Sequence, residues 1–130
     1  MGVVDMDAQK TIIPIYTTKG DAEAFLAYPY LFNRLGEWIG FVTPQREVYS
    51  VLGYYVGYLS EDRRILRKRA TSTLKPRKTP PPPPPKLRPP ATVPLAPMMK
   101  EVTYSVLDVL LEEPERLHPP DAGELRQDMD

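Results

Sequence analysis

The sequence predicts a mostly β fold, with three to four repeated antiparallel β-hairpins in a meander or a pseudo-fourfold radial array. Three observations predict it. Residues 15–66 contain seven of the eight tyrosines, all three phenylalanines and the single tryptophan. The same stretch repeats a pattern with a period of 16 to 17 residues, and such periods indicate one supersecondary unit per copy. Eleven of the 17 prolines then fall between residues 76 and 97, where they exclude a sheet ladder or a helix interior.

Each repeat unit predicts one hairpin. The units cover residues 15–26, 31–42 and 48–59, in the order aliphatic, aromatic, polar, two residues, glycine, three residues, small, aromatic, aliphatic. The polar residue suits the first position of a type I turn, and the glycine suits the fourth. The turn glycines are Gly20, Gly36 and Gly53. A three-residue hairpin with a bulge needs the left-handed conformation there, which glycine adopts without steric cost.

The remaining positions of the repeat predict the packing. The small residue inside each returning strand indicates close approach of another backbone or an aromatic ring. Ile65–Ala70 begins a fourth unit, with Ala70 where the turn glycine stands and no returning strand directly after it. We expect the aromatic side chains at repeat-equivalent positions to form a core around a common axis. They are Tyr16, Phe25, Phe32, Phe41, Tyr49 and Tyr58.

The repeated unit, aliphatic-aromatic-x-x-x-Gly-x-x-x-Gly-aromatic-aliphatic, resembles that of the bacterial 4-fold beta flower domain family. The resemblance covers roughly residues 13–75. It implies four short hairpins placed like petals round a pseudo-fourfold axis, often followed by a proline-rich tail. The family has no established activity, so the resemblance implies a fold and not a function.

Composition and charge divide the chain into five segments. Residues 60–88 carry ten basic and two acidic side chains, whereas residues 89–130 carry three basic and nine acidic ones. We expect a flexible N-terminus at 1–10, the hairpin domain at 11–75 and a proline-rich linker at 76–98, extended as polyproline II. A short amphipathic helix at 99–113 and an acidic disordered tail at 114–130 follow. The proline run also fits the form of polyproline ligands, but a plain spacer is the simpler interpretation.

Residue usage argues against most enzyme classes. The chain has no cysteine and one histidine, His118, so disulfides, Cys-ligated metals, thiol nucleophiles and His-rich sites are excluded. No glycine-rich phosphate loop is present, because the glycines are spaced for hairpins. No apolar run approaches the ~18 residues of a membrane span. We expect a cytoplasmic protein that is not an enzyme, with no cofactor, metal, small-molecule or membrane partner.

A basic run offers one functional alternative. It comprises Arg63, Arg64, Arg67, Lys68 and Arg69. Cationic side chains beside tyrosine-rich strands are the ingredients of single-stranded nucleic-acid binding. Basic residues also protect edge strands from aggregation. A small nucleic-acid-binding protein acting through residues 63–78 is therefore the alternative to the function that follows.

The leading functional prediction rests on the C-terminal apolar pattern. Val102, Val106, Val109 and Leu110 follow helical spacing, and so short a helix needs a surface to lie against. That surface can be its own β domain, a second copy of the chain or a different protein. We therefore predict a non-enzymatic interaction or structural module that self-associates and presents this helix on the polyproline spacer. Its partner is a homo-oligomer copy or another protein.

Overall fold

The computed structural model describes residues 11–70 and 75–120. They form one eight-stranded antiparallel sheet in which each strand pairs with the next along the chain, and the sheet curls into a half-barrel. The predicted mostly β hairpin meander is therefore confirmed. The strands are β1 (Ile13–Tyr16), β2 (Ala22–Ala27), β3 (Tyr30–Asn33), β4 (Trp38–Val42), β5 (Glu47–Ser50), β6 (Tyr55–Leu59), β7 (Ile65–Lys68) and β8 (Val106–Asp108).

The hairpin turns form as the repeat predicts. In the first three, the glycine N–H donates to the carbonyl of the polar residue three positions earlier, at 2.8 to 3.0 Å. Gly20, Gly36 and Gly53 have φ of 90°, 83° and 91°, and the register of each hairpin shifts by one residue at a bulge. The polar side chain closes each turn; Asn33 Oδ1, for example, accepts from the N–H groups of Leu35 and Glu37. These local contacts follow from sequence alone.

The fourth hairpin is completed within the chain by a distant segment. β8 pairs with β7 in the register Leu66↔Asp108 and Lys68↔Val106, although the proline-rich segment separates the two strands in sequence. The Tyr16 N–H donates to the Arg63 carbonyl at 2.8 Å, which brings the end of β1 back to the β6–β7 turn. The first hairpin turn is also tied to β8, since both the N–H and the hydroxyl of Thr18 donate to Asp108 Oδ2 at 2.7 Å.

The two faces of the sheet differ in composition. The inner face carries an aliphatic core, to which every described strand contributes. Its fully buried members include Ile15, Ala24, Val48, Ile65 and Val109. Five of the six aromatic side chains predicted to form a core are buried, all but Tyr58, but they do not surround a common axis with the aliphatic core, because neighbouring residues of a strand point to opposite faces. In each unit the aliphatic residue faces inward, and the aromatic residue that follows it faces outward.

The C-terminal segment differs from its prediction. Val106–Asp108 is strand, and the helix α1 spans only Val109–Glu112, followed by a 3₁₀ turn at Pro114–Arg116. The helix predicted over 99–113 is therefore wrong in extent. α1 packs on its own domain, with Val109 in the inner core and Leu110 partly buried against it. Of the surfaces considered, the one occupied is the chain's own sheet.

Within the described residues, no helix is long and apolar enough to cross a membrane. The predicted flexibility of residues 1–10 and disorder of residues 121–130 concern segments outside the described part of the chain.

Candidate functional site on the outer face

Aromatic side chains line the outer face of the sheet in rows that follow the strand register. One row runs Tyr30–Phe41–Tyr49–Tyr55 across β3 to β6. Within it, the rings of Phe41 and Tyr49 stack with centroids 5.5 Å apart, and Tyr55 meets Tyr49 edge-on. A second row joins Phe25, Phe32 and Trp38. A face this apolar needs a cover, just as the inner face does.

The cover is the proline-rich segment. We call residues 75–102 the strap, because contacts along its length hold it to the outer face. The Tyr30 hydroxyl donates to the Pro82 carbonyl at 3.0 Å, and the Tyr16 hydroxyl donates to the Pro94 carbonyl at 2.7 Å. Leu87 packs against the cluster that contains Phe32 and Trp38. The segment predicted to be a plain spacer therefore packs on the sheet.

The hydrogen bonds between sheet and strap follow from the chemistry of proline. Proline has a carbonyl acceptor but no N–H donor, so the tyrosine hydroxyls of the face supply the donors at Pro82 and Pro94. Where the strap donates, it does so through residues other than proline. The N–H groups of Lys78 and Leu87 both donate at 2.9 Å, to the carbonyls of Gly53 and Gly36 respectively.

The turn glycines also make room for the strap. A Cβ atom on Gly36 would lie 1.9 Å from the Leu87 carbonyl oxygen, and one on Gly53 would lie 2.0 Å from the Lys78 carbonyl oxygen. A Cβ atom on Gly20 would meet nothing within 4 Å. Two of the three turn glycines thus have a packing role that the turn itself does not require.

Basic side chains anchor the beginning of the strap to the tyrosine-rich end of the face. The Lys75 ammonium lies 3.0 Å from Glu47 Oε2 and 5.1 Å from the centre of the Tyr55 ring. The Arg77 guanidinium lies 5.0 Å from the centre of the Tyr54 ring, and its Nε donates to the Leu52 carbonyl at 2.7 Å. These cation–π contacts are strongest where they exclude water.

An open groove of about 850 Å³ lies on the outer face beside the C-terminal end of the strap. Its floor includes Tyr58 and Leu66, which face each other across β6 and β7. Its far wall is the end of the strap, residues 97–102. The apolar and aromatic side chains that line it are Tyr55, Tyr58, Leu59, Leu66, Pro97, Met98 and Val102. The charged ones are Arg46, Glu47, Glu61, Asp62, Arg64, Lys100 and Glu101.

An ion pair at one end of the groove holds the end of the strap. Arg64, 1% exposed, donates from Nη2 to Asp62 Oδ2 at 2.6 Å and to the Lys100 carbonyl at 2.8 Å. Burial disfavours the ionised form of Asp62, but hydrogen bonds from Arg64, Ser60 and the Lys100 N–H outweigh it. They hold the pKa of Asp62 at about 2, below its ordinary value of 3.8.

A second charged cluster lies at the other end of the groove. The hydrogen bond from Lys75 lowers the pKa of Glu47. Burial, together with the hydrogen bond that its hydroxyl donates to Glu47, raises the pKa of Tyr49 to about 12. Both carboxylates with a shifted pKa at the groove, Glu47 and Asp62, thus stay ionised near neutral pH and are committed to the contacts of the strap.

The residues of the basic run that was predicted to bind nucleic acid do not share a surface. Arg64 is buried at Asp62, and Arg67, 6% exposed, pairs with Glu113 at 2.9 Å. Arg69 pairs with Glu112 and lies 4.8 Å from the Tyr104 ring centre. Arg63 and Lys68 are exposed, the first in the β6–β7 turn and the second at the end of β7. Strand alternation and acidic partners separate the five basic side chains.

The residues of the predicted partner-binding helix are also separated. Val109 is fully buried in the inner core, and Val106 faces outward in β8 beside Lys68. Leu110 is partly buried against the inner core, and Val102 lies at the groove. No face of α1 presents these four side chains together.

Sequence reasoning did not identify the groove residues Tyr58 and Leu66 as a site. The signal was present in the alternation of the repeat. Each unit places an aliphatic residue directly before an aromatic one, as in Ile15-Tyr16 and Val48-Tyr49. In a strand, such a pair makes both faces of the sheet apolar, and the second face then needs a cover or a partner.

In the described ranges 11–70 and 75–120, no group of three or more His, Cys, Asp or Glu residues is placed to hold a metal ion. No family model, curated protein or solved structure matches the chain. The membership in the 4-fold beta flower family that the repeat suggests thus stays a prediction.

Proposed function

We propose that this protein is a non-enzymatic protein-interaction module that binds an extended apolar segment in the outer groove. The groove itself carries the proposal, since it is an uncovered continuation of the aromatic face that the strap occupies elsewhere. A concave site with an apolar floor and a few polar groups is the usual form of a binding pocket. Its volume of about 850 Å³ is sufficient for several side chains.

The charges of the groove support binding rather than catalysis. A general acid or base that works near neutral pH needs a pKa close to 7. The hydrogen bond from Lys75 instead lowers the pKa of Glu47, and hydrogen bonds led by that of Arg64 outweigh burial and lower the pKa of Asp62. Nucleic-acid binding, the alternative, has less support, because Arg64 and Arg67 of the basic run are buried in ion pairs.

A library of random octapeptides displayed on phage, selected on the full chain, tests the proposal. We expect the selected peptides to be rich in apolar residues and proline and to compete with one another. Their affinity should fall about tenfold for Tyr58→Ser, which removes a ring from the floor. Val102→Ser, on the strap side of the groove, should weaken binding without altering the sheet.

Tyr28→Ser is the matched control, because Tyr28 is 53% exposed in the β2–β3 turn and does not line the groove. Peptides that bind Tyr58→Ser and Val102→Ser as well as the wild type would place the site elsewhere. A selection that enriches no peptide at all would contradict the proposal.

A further inference from the structure

The strap has two edges, and its burial pattern identifies them. Most half-buried residues of the strap are spaced three apart, first at Pro81, Pro84 and Leu87 and again at Ala96, Met99 and Val102, while Pro80 and Pro89 lie beside the first set. A polyproline II helix has three residues per turn, so residues three apart lie on the same edge. One edge of the strap therefore faces the sheet, and the other edges face away from it.

The outward edge changes character along the strap. Between residues 82 and 88 the exposed positions are occupied by prolines and by the basic residues Lys86 and Arg88. Further along, Leu95 is 95% exposed and Met98 is 96% exposed, while Val93 before them is 38% exposed. Leu95 and Met98 are three residues apart and thus share one edge. Two large apolar side chains so fully exposed side by side indicate a contact surface.

This apolar edge borders the groove. Met98 lies on the groove's rim, and Val102 continues the same wall. One chain thus presents an exposed apolar edge of the strap next to an open groove with Tyr58 and Leu66 in its floor. That is the arrangement a two-fold interface needs, in which the same patch on both copies supplies a segment and receives one.

We infer that two copies of the chain pair by placing residues 93–98 of each in the outer groove of the other. This inference rests on the proposed function, since it names the occupant of the same groove. The outer face already binds another proline-containing part of the strap, since the Tyr30 hydroxyl donates to the Pro82 carbonyl. Residues 93–98 have the same character, with two prolines and no charged side chain.

Electrostatics are compatible with two identical partners. The groove is lined by three basic and four acidic side chains, several of them already paired with each other or with the strap. The inserted segment adds no charge to this balance. The whole chain carries a formal net charge of zero, so no long-range repulsion opposes the approach of a second copy.

The molar mass of the full chain, measured by analytical ultracentrifugation over a wide concentration series, tests the inference. We expect a monomer–dimer equilibrium. The double variant Leu95→Ser/Met98→Ser and the groove variant Tyr58→Ser should each weaken it by about tenfold or more. Leu35→Ser is the control, because Leu35 is 67% exposed in the β3–β4 turn and does not line the groove.

Mixing Tyr58→Ser with the single variant Leu95→Ser sharpens the test, because Leu95 does not line the groove. A pair that contains one chain of each variant retains one intact segment–groove contact, whereas a pair of identical variants retains none. The mixture should therefore associate more tightly than either variant alone. Equal association in all three samples would overturn reciprocal pairing.

The remaining outcomes separate the inference from the proposed function. A chain that stays monomeric while octapeptides bind its groove would overturn the pairing and leave the binding site standing. A monomeric chain that also binds no octapeptide would overturn both. A dimer insensitive to all the substitutions at Tyr58, Leu95 and Met98 would show that the copies meet through another surface.

Discussion

On the inner face of the sheet, aliphatic side chains from all eight strands pack against one another and against Val109 of α1. On the outer face, aromatic side chains pack against a segment that has no regular backbone hydrogen bonding of its own. Both faces are apolar and both are largely covered. The inner face is aliphatic apart from Arg67, which pairs with Glu113, whereas the outer face carries tyrosine hydroxyls that need hydrogen-bond partners.

The strap meets those needs because its backbone is rich in acceptors and poor in donors. The hydroxyls of Tyr16 and Tyr30 find carbonyls at Pro94 and Pro82. A cover of ordinary sequence would bring an N–H group at every residue, and each would need an acceptor when buried. A proline-rich cover avoids most of that cost, which explains why proline suits an aromatic face of this kind.

The two faces also differ in how completely they are covered. The inner core is closed around its own residues, but on the outer face an open groove remains above the half-buried Tyr58 and the buried Leu66. We therefore expect substitutions at the inner face to affect stability alone. Substitutions at the outer face should separate into those that loosen the strap and those that affect binding.

The largest loss of stability is expected for a substitution where the strap crosses a hairpin turn. Gly36→Ala combines a left-handed φ of 83° with a Cβ that would lie 1.9 Å from the Leu87 carbonyl oxygen. Gly20→Ala shares the left-handed φ but has open space, so it should cost only the conformational term of about 1–2 kcal/mol. We expect Gly36→Ala to lower the free energy of unfolding by more than about 3 kcal/mol, measured in urea.

Equal losses of unfolding free energy for Gly36→Ala and Gly20→Ala would mean that the strap does not pack against the Gly36 turn in solution. Gly53→Ala provides an independent second case, because its Cβ would lie 2.0 Å from the Lys78 carbonyl oxygen.

On the inner face, Val109→Ala should cost about 2–3 kcal/mol, because the side chain is fully buried and its loss leaves a cavity in the core. Leu111→Ala, in the same helical turn but 38% exposed, is the control and should cost much less. Urea unfolding of both variants gives the comparison. Similar small losses would mean that α1 does not belong to the core.

The turns were predictable because their determinants are local. Asn33 and Gly36, for example, lie within one turn and fix it by their own hydrogen bonds and by φ. β8 was not predictable in the same way. Val106 and Val109 fit helical spacing, but pairing with β7 across the strap overrides that local pattern. A strand that pairs with a segment so distant in sequence leaves little signal in its own residues.

The candidate site was harder to predict than the fold, because its residues acquire their roles from distant partners. Arg64 and Arg67 belong to a basic run in sequence, yet the first is buried between Asp62 and Lys100 and the second pairs with Glu113. A count of charges along the sequence predicts that such residues lie on the surface. Only the strand register, which places Arg67 on the inner side beside Leu107, shows otherwise.

The smallest expected effect is on stability at acidic pH, through the Asp62 carboxylate that binds the end of the strap. The pKa of Asp62 in the fold is about 2, below its ordinary value of 3.8. A lowered pKa means that the ionised carboxylate stabilises the fold above about pH 4 and that this contribution is lost as the pH falls towards about 2. Asp62→Asn should therefore cost on the order of 1–2 kcal/mol at neutral pH and remove part of the acid destabilisation.

Glu47 and Glu113 also have lowered pKa values, so the difference between wild type and Asp62→Asn isolates the Asp62 contribution across the pH series. Glu61→Gln, an exposed neighbour, controls for the loss of one negative charge. Because Asp62 accepts the Lys100 N–H, hydrogen exchange at Lys100 should accelerate in Asp62→Asn, while exchange at core amides such as Ile15 follows global unfolding. If Lys100 is unaffected, the ion pair stabilises the β6–β7 turn alone, and the strap is held by its tyrosine and glycine contacts.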